Sequence, residues 1–175
     1  MRVLVLNPGS SSLKVSVLEP PNREALAMAT IEWGADATRA SGRTSAISGT
    51  LDLLGRDGVA VSSIDAVGYR VVHGGSRFTR PTVIDDAVVT AIDQLASFAP
   101  LHNRIAADTI RKGRQRIPGV PHVAVFDTAF HASLPPAGYR YPVPDEWFRR
   151  WGIRRFGFHG LSVGWSVERA AELLD

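Results

Sequence analysis

The sequence predicts an α/β fold built around a mixed sheet. Two observations predict it. Apolar, strand-like runs come first in the chain and then alternate with segments of helical period. Polar residues suited to ligand chemistry recur at the ends of those runs, where an α/β sheet places its ligands. The length of 175 residues fits one domain, or one domain with part of another. With 45% hydrophobic and 21% charged residues, the chain can bury a sizeable core.

Arg2 to Leu6 reads as a short buried strand, rich in β-branched and large aliphatic side chains. Asn7-Pro8-Gly9 ends it as a turn, since proline presets φ and glycine takes φ > 0 without steric cost. Ser10, Ser11 and Ser12 follow, and Leu13 to Leu18 alternates as a second strand, completing a hairpin. Its tip offers backbone N–H groups, three hydroxyls and Lys14, with no bulky side chain to hold an anion off. Such a concave donor set suits a phosphate. A plain solvated turn has the same composition.

Pro20-Pro21-Asn22 turns the chain, and Ala25 to Trp33 reads as a third strand ending at Gly34. Residues 35–63 carry little pattern, and Ile47 to Leu54 fits a short helix or a strand equally well. Ile64 to Val72 reads as a buried strand running into His73-Gly74-Gly75. From Asp85 to Phe98, Val88, Val89, Ile92 and Leu95 recur at helical spacing, with Asp85 and Asp86 placed for an N-cap and first turn. A second helix spans about Arg104 to Arg116, with basic residues at its end. His122 to Phe126 is the next strand, ending on Asp127-Thr128. Tyr139 to Pro144 is a loop, Asp145 to Trp151 a short amphipathic turn, and Arg155 to Gly160 a glycine-bracketed loop. The last helix begins at about Ser162.

The absence of cysteine excludes disulfides and thiolate-ligated metals and fits a reducing compartment. The formal charge is +3, and the basic residues are almost all arginine, with lysine at positions 14 and 112. These arginines read as scattered, without aromatics interleaved on one face, so nucleic acid is not an expected partner. No apolar run approaches membrane-spanning length, and Asn7-Pro8-Gly9 interrupts the N-terminal one too early for a signal peptide. The expectation is a soluble, cytoplasmic protein.

Four polar sites lie at strand edges: Asn7, Arg70 with His73-Gly74-Gly75, Asp127, and His159 between two glycines. Arg70 sits inside an apolar run, so its charge must be paired or face a ligand. It is either a structural ion pair, with Asp127 as the natural partner, or a planar fork for a carboxylate or phosphate. Asp127 is an orienter for that arginine, a general base, or a helix N-cap. The glycines beside His159 let backbone approach closely, and its imidazole can donate to developing negative charge. His102 stands at a helix start, where a structural role is commoner. His122 and His131 read as structural, and no spacing resembles a zinc site.

The stretches N-P-G-S-S-S-L-K (7–14), G-Y-R-V-V-H-G-G (68–75), A-P-L-H-N (99–103), V-F-D-T-A-F-H (125–131) and R-R-F-G-F-H-G (154–160) together resemble the acetate kinase family. The resemblance runs in order along nearly the whole chain. It implies the actin-like, ribonuclease H-like ATPase fold, as the first of two such domains, with residues 1–128 the first domain and 129–175 the opening of the second. It also implies ATP and Mg²⁺ as cofactors and a reversible phosphoryl transfer between ATP and acetate, giving ADP and acetyl phosphate. By that resemblance, Asn7 helps hold the Mg²⁺, and Ser10, Ser12 and Lys14 lie near the nucleotide phosphates. Arg70 binds acetate or acetyl phosphate and is held by Asp127, the family's catalytic acidic position. His159 stabilises the transferring phosphoryl group, His102 lines the same site, and Val72, Leu101 and Phe158 wall a pocket for the acyl methyl.

Elementary chemistry agrees with these roles. Phosphoryl transfer needs in-line positioning and positive charge around the equatorial oxygens more than covalent help. A carboxylate nucleophile is already ionised near neutral pH, so Asp127 has no proton to remove and an orienting role is favoured. One methylene is worth about 1–3 kcal/mol of selectivity, which leaves acetate, propionate and butyrate as alternatives.

The chain departs from the family pattern in two ways. Leu161-Ser162-Val163 stands where Thr-Ser-His is usual. Family members are also about twice as long, which implies a truncated chain that has one side of the phosphate clamp and is inactive alone. The resemblance further implies a homodimer for the full-length form. The competing reading is a non-catalytic remnant that binds phosphate or carboxylate, or serves as an interaction module.

Overall fold

The computed structural model describes residues 1–33 and 40–174. Its centre is one six-stranded mixed sheet of order β3-β2-β1-β4-β6-β5. β1 (Val3–Pro8), β2 (Ser12–Leu18) and β3 (Ala25–Glu32) form an antiparallel meander. β4 (Ala66–Val71) lies parallel to β1, and β6 (His122–Phe126) lies parallel to β4. β5 (Thr82–Val83) closes the edge, antiparallel to β6. Because β1, β4 and β6 are parallel, their C-terminal ends emerge side by side. That shared edge is where Asn7, Arg70 and Asp127 meet. The α/β class and the mixed sheet expected from the sequence are found.

The helices account for one face of this sheet. α1 (Ala40–Arg56) packs on β3 and β2, and α3 (Asn103–Arg116) on β4 and β1. α2 (Asp86–Gln94) packs against α3. The α2 N-cap is the one the sequence predicts: Asp85 Oδ1 accepts from the Val88 N–H at 2.7 Å. α1 resolves the ambiguity at residues 47–54 in favour of a helix, with Ala46, Ile47, Thr50 and Leu54 buried at helical spacing. Small residues at 42, 45, 48 and 49 had diluted that period. The turn expected at Gly34 lies outside the described residues.

The segments that read as buried strands, Arg2–Leu6 and Ile64–Val72, contain β1 and β4, in which buried and half-buried residues alternate. Leu4, Leu6, Val67, Tyr69 and Val71 enter the core, each at 1% exposure or less. Val3, Val5, Ala66 and Gly68 point to the other face, which α1, α2 and α3 leave uncovered. A continuous apolar run records only that both sides avoid charge, not that both sides are covered.

After β6 the chain forms a 3₁₀ turn at Phe130–Ser133, α4 (Pro136–Tyr139), α5 (Asp145–Trp151) and α6 (Gly160–Leu174). α6 begins at Gly160, two residues before its expected start. The arginines here are also less scattered than they read. Arg140 lies 4.3 Å over Phe148, Arg154 lies 4.0 Å over Tyr139, and Arg155 lies 5.7 Å over Tyr141. Those stacks join residues up to 15 positions apart, a relation that spacing along the chain does not display. Among the described residues, no helix is long and apolar enough to cross a membrane.

Candidate active site

Arg70 occupies the penultimate position of β4, and the chain's parallel pairing brings it beside Asn7 of β1 and Asp127 at the end of β6. Its Nη2 donates to Asp127 Oδ2 at 2.6 Å, and its Nε donates to Oδ1 and Oδ2 at 3.1 and 3.2 Å. Its Nη1 donates to Asn7 Oδ1 at 3.2 Å. The Asp127 side chain is 2% exposed and that of Arg70 is 28% exposed. A carboxylate buried that deeply is tolerable only with such a partner. Of the five guanidinium N–H groups, described residues engage one on each nitrogen. One donor on each Nη is left, on a side chain that still reaches solvent.

Those donors open on a groove of about 560 Å³. Ser10 from the hairpin tip, Arg70, Val72, Leu101, His102, Asp127, Phe158 and His159 all line it. Asn7 joins them through its hydrogen bond to Arg70. Ser12 and Lys14 do not line the groove; they lie on β2, where Lys14 is exposed and in register with Asn7. The hairpin tip is tight, with the Gly9 N–H donating to Ser12 O at 2.8 Å.

The two histidines arrive by different devices. His102 precedes α3, and its side chain does not cap that helix, so the imidazole is free for the groove. His159 has φ = 56°, a left-handed conformation that a non-glycine residue adopts at a cost. The next residue shows why it is held there. The Gly160 N–H donates to Asp127 O at 3.0 Å, and a Cβ on Gly160 would lie 2.1 Å from that same oxygen. α6 therefore starts directly on the Asp127 backbone, and the tight join turns His159 into the groove.

Several site residues escaped the sequence reading. Phe98 lines the groove beside Leu101, although its place at a helix end marks it only as a terminal apolar residue. Asn103 is fully buried. Its Oδ1 accepts from the His73 N–H at 3.1 Å, and its Nδ2 donates to His73 O at 2.8 Å and Ile92 O at 3.3 Å. Thr128 Oγ1 accepts from the Gly74 N–H at 2.9 Å, which ties the loop after β4 to the end of β6. Buried polar pins of this kind have no periodicity to reveal them. Burial also lowers the pKa of the His73 imidazole, which keeps it neutral.

The described residues do not assemble a metal cage. No group of three or more His, Cys, Asp or Glu side chains converges among them. Oδ1 of Asn7 and both oxygens of Asp127 already accept from Arg70. A divalent ion here would have to arrive with phosphate oxygens and water as most of its shell.

The chain is 44% identical to an acetate kinase of Leifsonia xyli over 98% of its length, and 39% identical to one of Thermotoga maritima over 99%. It covers 48% of each, so it spans about half the length of these curated relatives. Among solved structures, a propionate kinase of Francisella tularensis superposes with a TM-score of 0.83 at 31% identity. An acetate kinase of Porphyromonas gingivalis gives 0.82 at 32%. In both cases 99% of this chain matches 49% of the other. The model of the acetokinase family matches residues 2–175, and the chain belongs to that family.

Proposed function

We propose that this chain forms the carboxylate-holding side of an enzyme that moves a phosphoryl group reversibly between ATP and acetate. The observation that carries the reading is Arg70, locked on buried Asp127 with one free donor on each Nη facing an apolar groove. A planar guanidinium with two unused donors matches a carboxylate or an acyl phosphate.

In the forward direction a carboxylate oxygen of acetate attacks the γ-phosphorus, the new O–P bond forms, and the bond to the β-phosphate oxygen breaks. ADP leaves with the electron pair, and no proton need be removed because the nucleophile is already ionised. Arg70 orients the carboxylate, Asp127 holds Arg70, and His159 donates to the equatorial oxygens as charge gathers there. His102 shares that face. Val72, Leu101 and Phe158 receive the acyl chain. Ser10, Ser12 and Lys14 would face the nucleotide phosphates, and Asn7 would help hold a Mg²⁺ that offsets the phosphate charge when bound.

On this reading residues 1–128 form the first domain and 129–175 open a second, and the complete enzyme works as a cytoplasmic homodimer. Likeness to a propionate kinase supports a second reading in which the acyl chain is one methylene longer.

The test is acetyl phosphate formation from acetate and ATP, trapped as the hydroxamate. The chain alone should give negligible turnover, and turnover should appear when it is fused to the C-terminal half of the Leifsonia relative. In that fusion Arg70→Ala should cost about 3 kcal/mol of transition-state stabilisation. Robust turnover by the chain alone overturns the half-site reading. Unchanged kinetics in Arg70→Ala would make that arginine a structural ion pair.

A further inference from the structure

We propose that Phe98, held by the buried ring of His73, sets the length of carboxylate chain that the groove accepts. The proposal rests on the acyl-phosphate reading above and adds to it a wall and the anchor behind that wall.

Phe98 is 63% exposed, so by itself it would sample several rotamers and form no wall. Instead its ring stacks on His73, with centroids 5.3 Å apart and planes at 16°. His73 is 3% exposed and cannot follow a moving neighbour. The Asn103 side chain holds both its peptide N–H and its carbonyl. Its Nδ1 accepts from the Gly75 N–H at 3.0 Å, which fixes the ring and puts the proton on Nε2. Elsewhere around the same ring lie Phe156 at 4.7 Å and Phe158 at 5.8 Å. One immobile imidazole therefore backs two groove walls, Phe98 from the segment before α3 and Phe158 from the segment before α6.

Aromatic pairs in offset-stacked geometry resist separation beyond what their area alone gives. A hydrophobic wall discriminates chain length through the contacts that each added methylene makes or is denied. Removing the Phe98 ring opens the groove beside Leu101, and removing the His73 ring releases Phe98 with the same result.

The experiment titrates the 175-residue chain with sodium acetate, propionate and butyrate, followed by ligand-observed NMR, for the wild type, Phe98→Ala, His73→Ala and His73→Phe. The wild type should favour acetate over butyrate by about thirtyfold, two methylenes at about 1 kcal/mol each, the lower end of what a methylene contributes. Phe98→Ala should bring that ratio to about one or invert it. His73→Ala should do the same, whereas His73→Phe, which keeps a ring under Phe98, should restore the wild-type ratio. Phe98 is an exposed side chain, so Phe98→Ala decides the matter even where His73→Ala fails to fold. An unchanged ratio in Phe98→Ala, or equal weakening of all three ligands, overturns the proposal and leaves the acyl-phosphate reading standing. A wild-type chain that binds none of the three overturns that reading, and the proposal with it.

Discussion

Between Val3 and Phe126 the chain buries Leu4, Tyr69, Ile110 and Phe126 at 1% exposure or less. From Ala129 to Leu174, among the described residues, Gly160 alone is buried, while Trp147, Trp151 and Trp165 are 40%, 54% and 60% exposed. The first region is held by a packed core. The second is held by arginines stacked on rings and by exposed ion pairs such as Arg23 with Glu172 at 2.6 Å. Contacts of that second kind contribute little each in water. The candidate site straddles the two. Arg70 and Asp127 stand on the core, whereas His159 and Phe158 come from the weakly held segment. One side of the groove is therefore preformed, and the other depends on the join at Gly160.

The sharpest way to break the contrast is Phe126→Ala, which should cost about 3–5 kcal/mol in denaturant unfolding by removing a ring stacked on Phe78 at 4.8 Å. Gly113→Ala should follow at about 1–3 kcal/mol, because the new Cβ would lie 2.1 Å from the Tyr69 hydroxyl where α3 crosses β4. Acidification should act on the same region. Burial lowers the pKa of His73 and His122, so the unfolded chain takes up protons first. The stability from their neutral forms should be complete above about pH 6.5 and fall as pH drops below it, seen as a declining thermal midpoint. Trp151→Ala, in the other region, should change unfolding free energy by no more than about 0.5 kcal/mol. The smallest effect belongs to Glu172, whose carboxyl two arginines hold down to about pKa 2. Its contribution should be present above the ordinary carboxylate range and lost as pH falls toward 2. Amide exchange at the end of α6 should report it while the global midpoint stays put.

How far the sequence could be read follows the same division. The hairpin at Asn7–Ser12, the Asp85 cap and the alignment of Arg70 with Asp127 were legible, because turn chemistry, capping and a charge inside an apolar run are local signals. α1 was half legible: Ile47, Leu51 and Leu54 hold a helical spacing that neighbouring Gly and Ser blur. β5 was not, since Thr82-Val83 is too short to show any period. Asn103 and Phe98 were invisible for another reason. What they do depends on His73, whose position relative to them exists only after folding. The stacks over Tyr139 and Phe148 were missed on the same ground.

The face of the sheet that α1, α2 and α3 leave uncovered has a practical consequence at Gly68. It lies on β4, a central strand, yet a Cβ built there meets nothing within 4 Å. The chain contains no cysteine, so Gly68→Cys would be its sole thiol. Its alkylation rate becomes a stopwatch for shielding: fast on the bare chain, and slowed by whatever polypeptide comes to lie across that face.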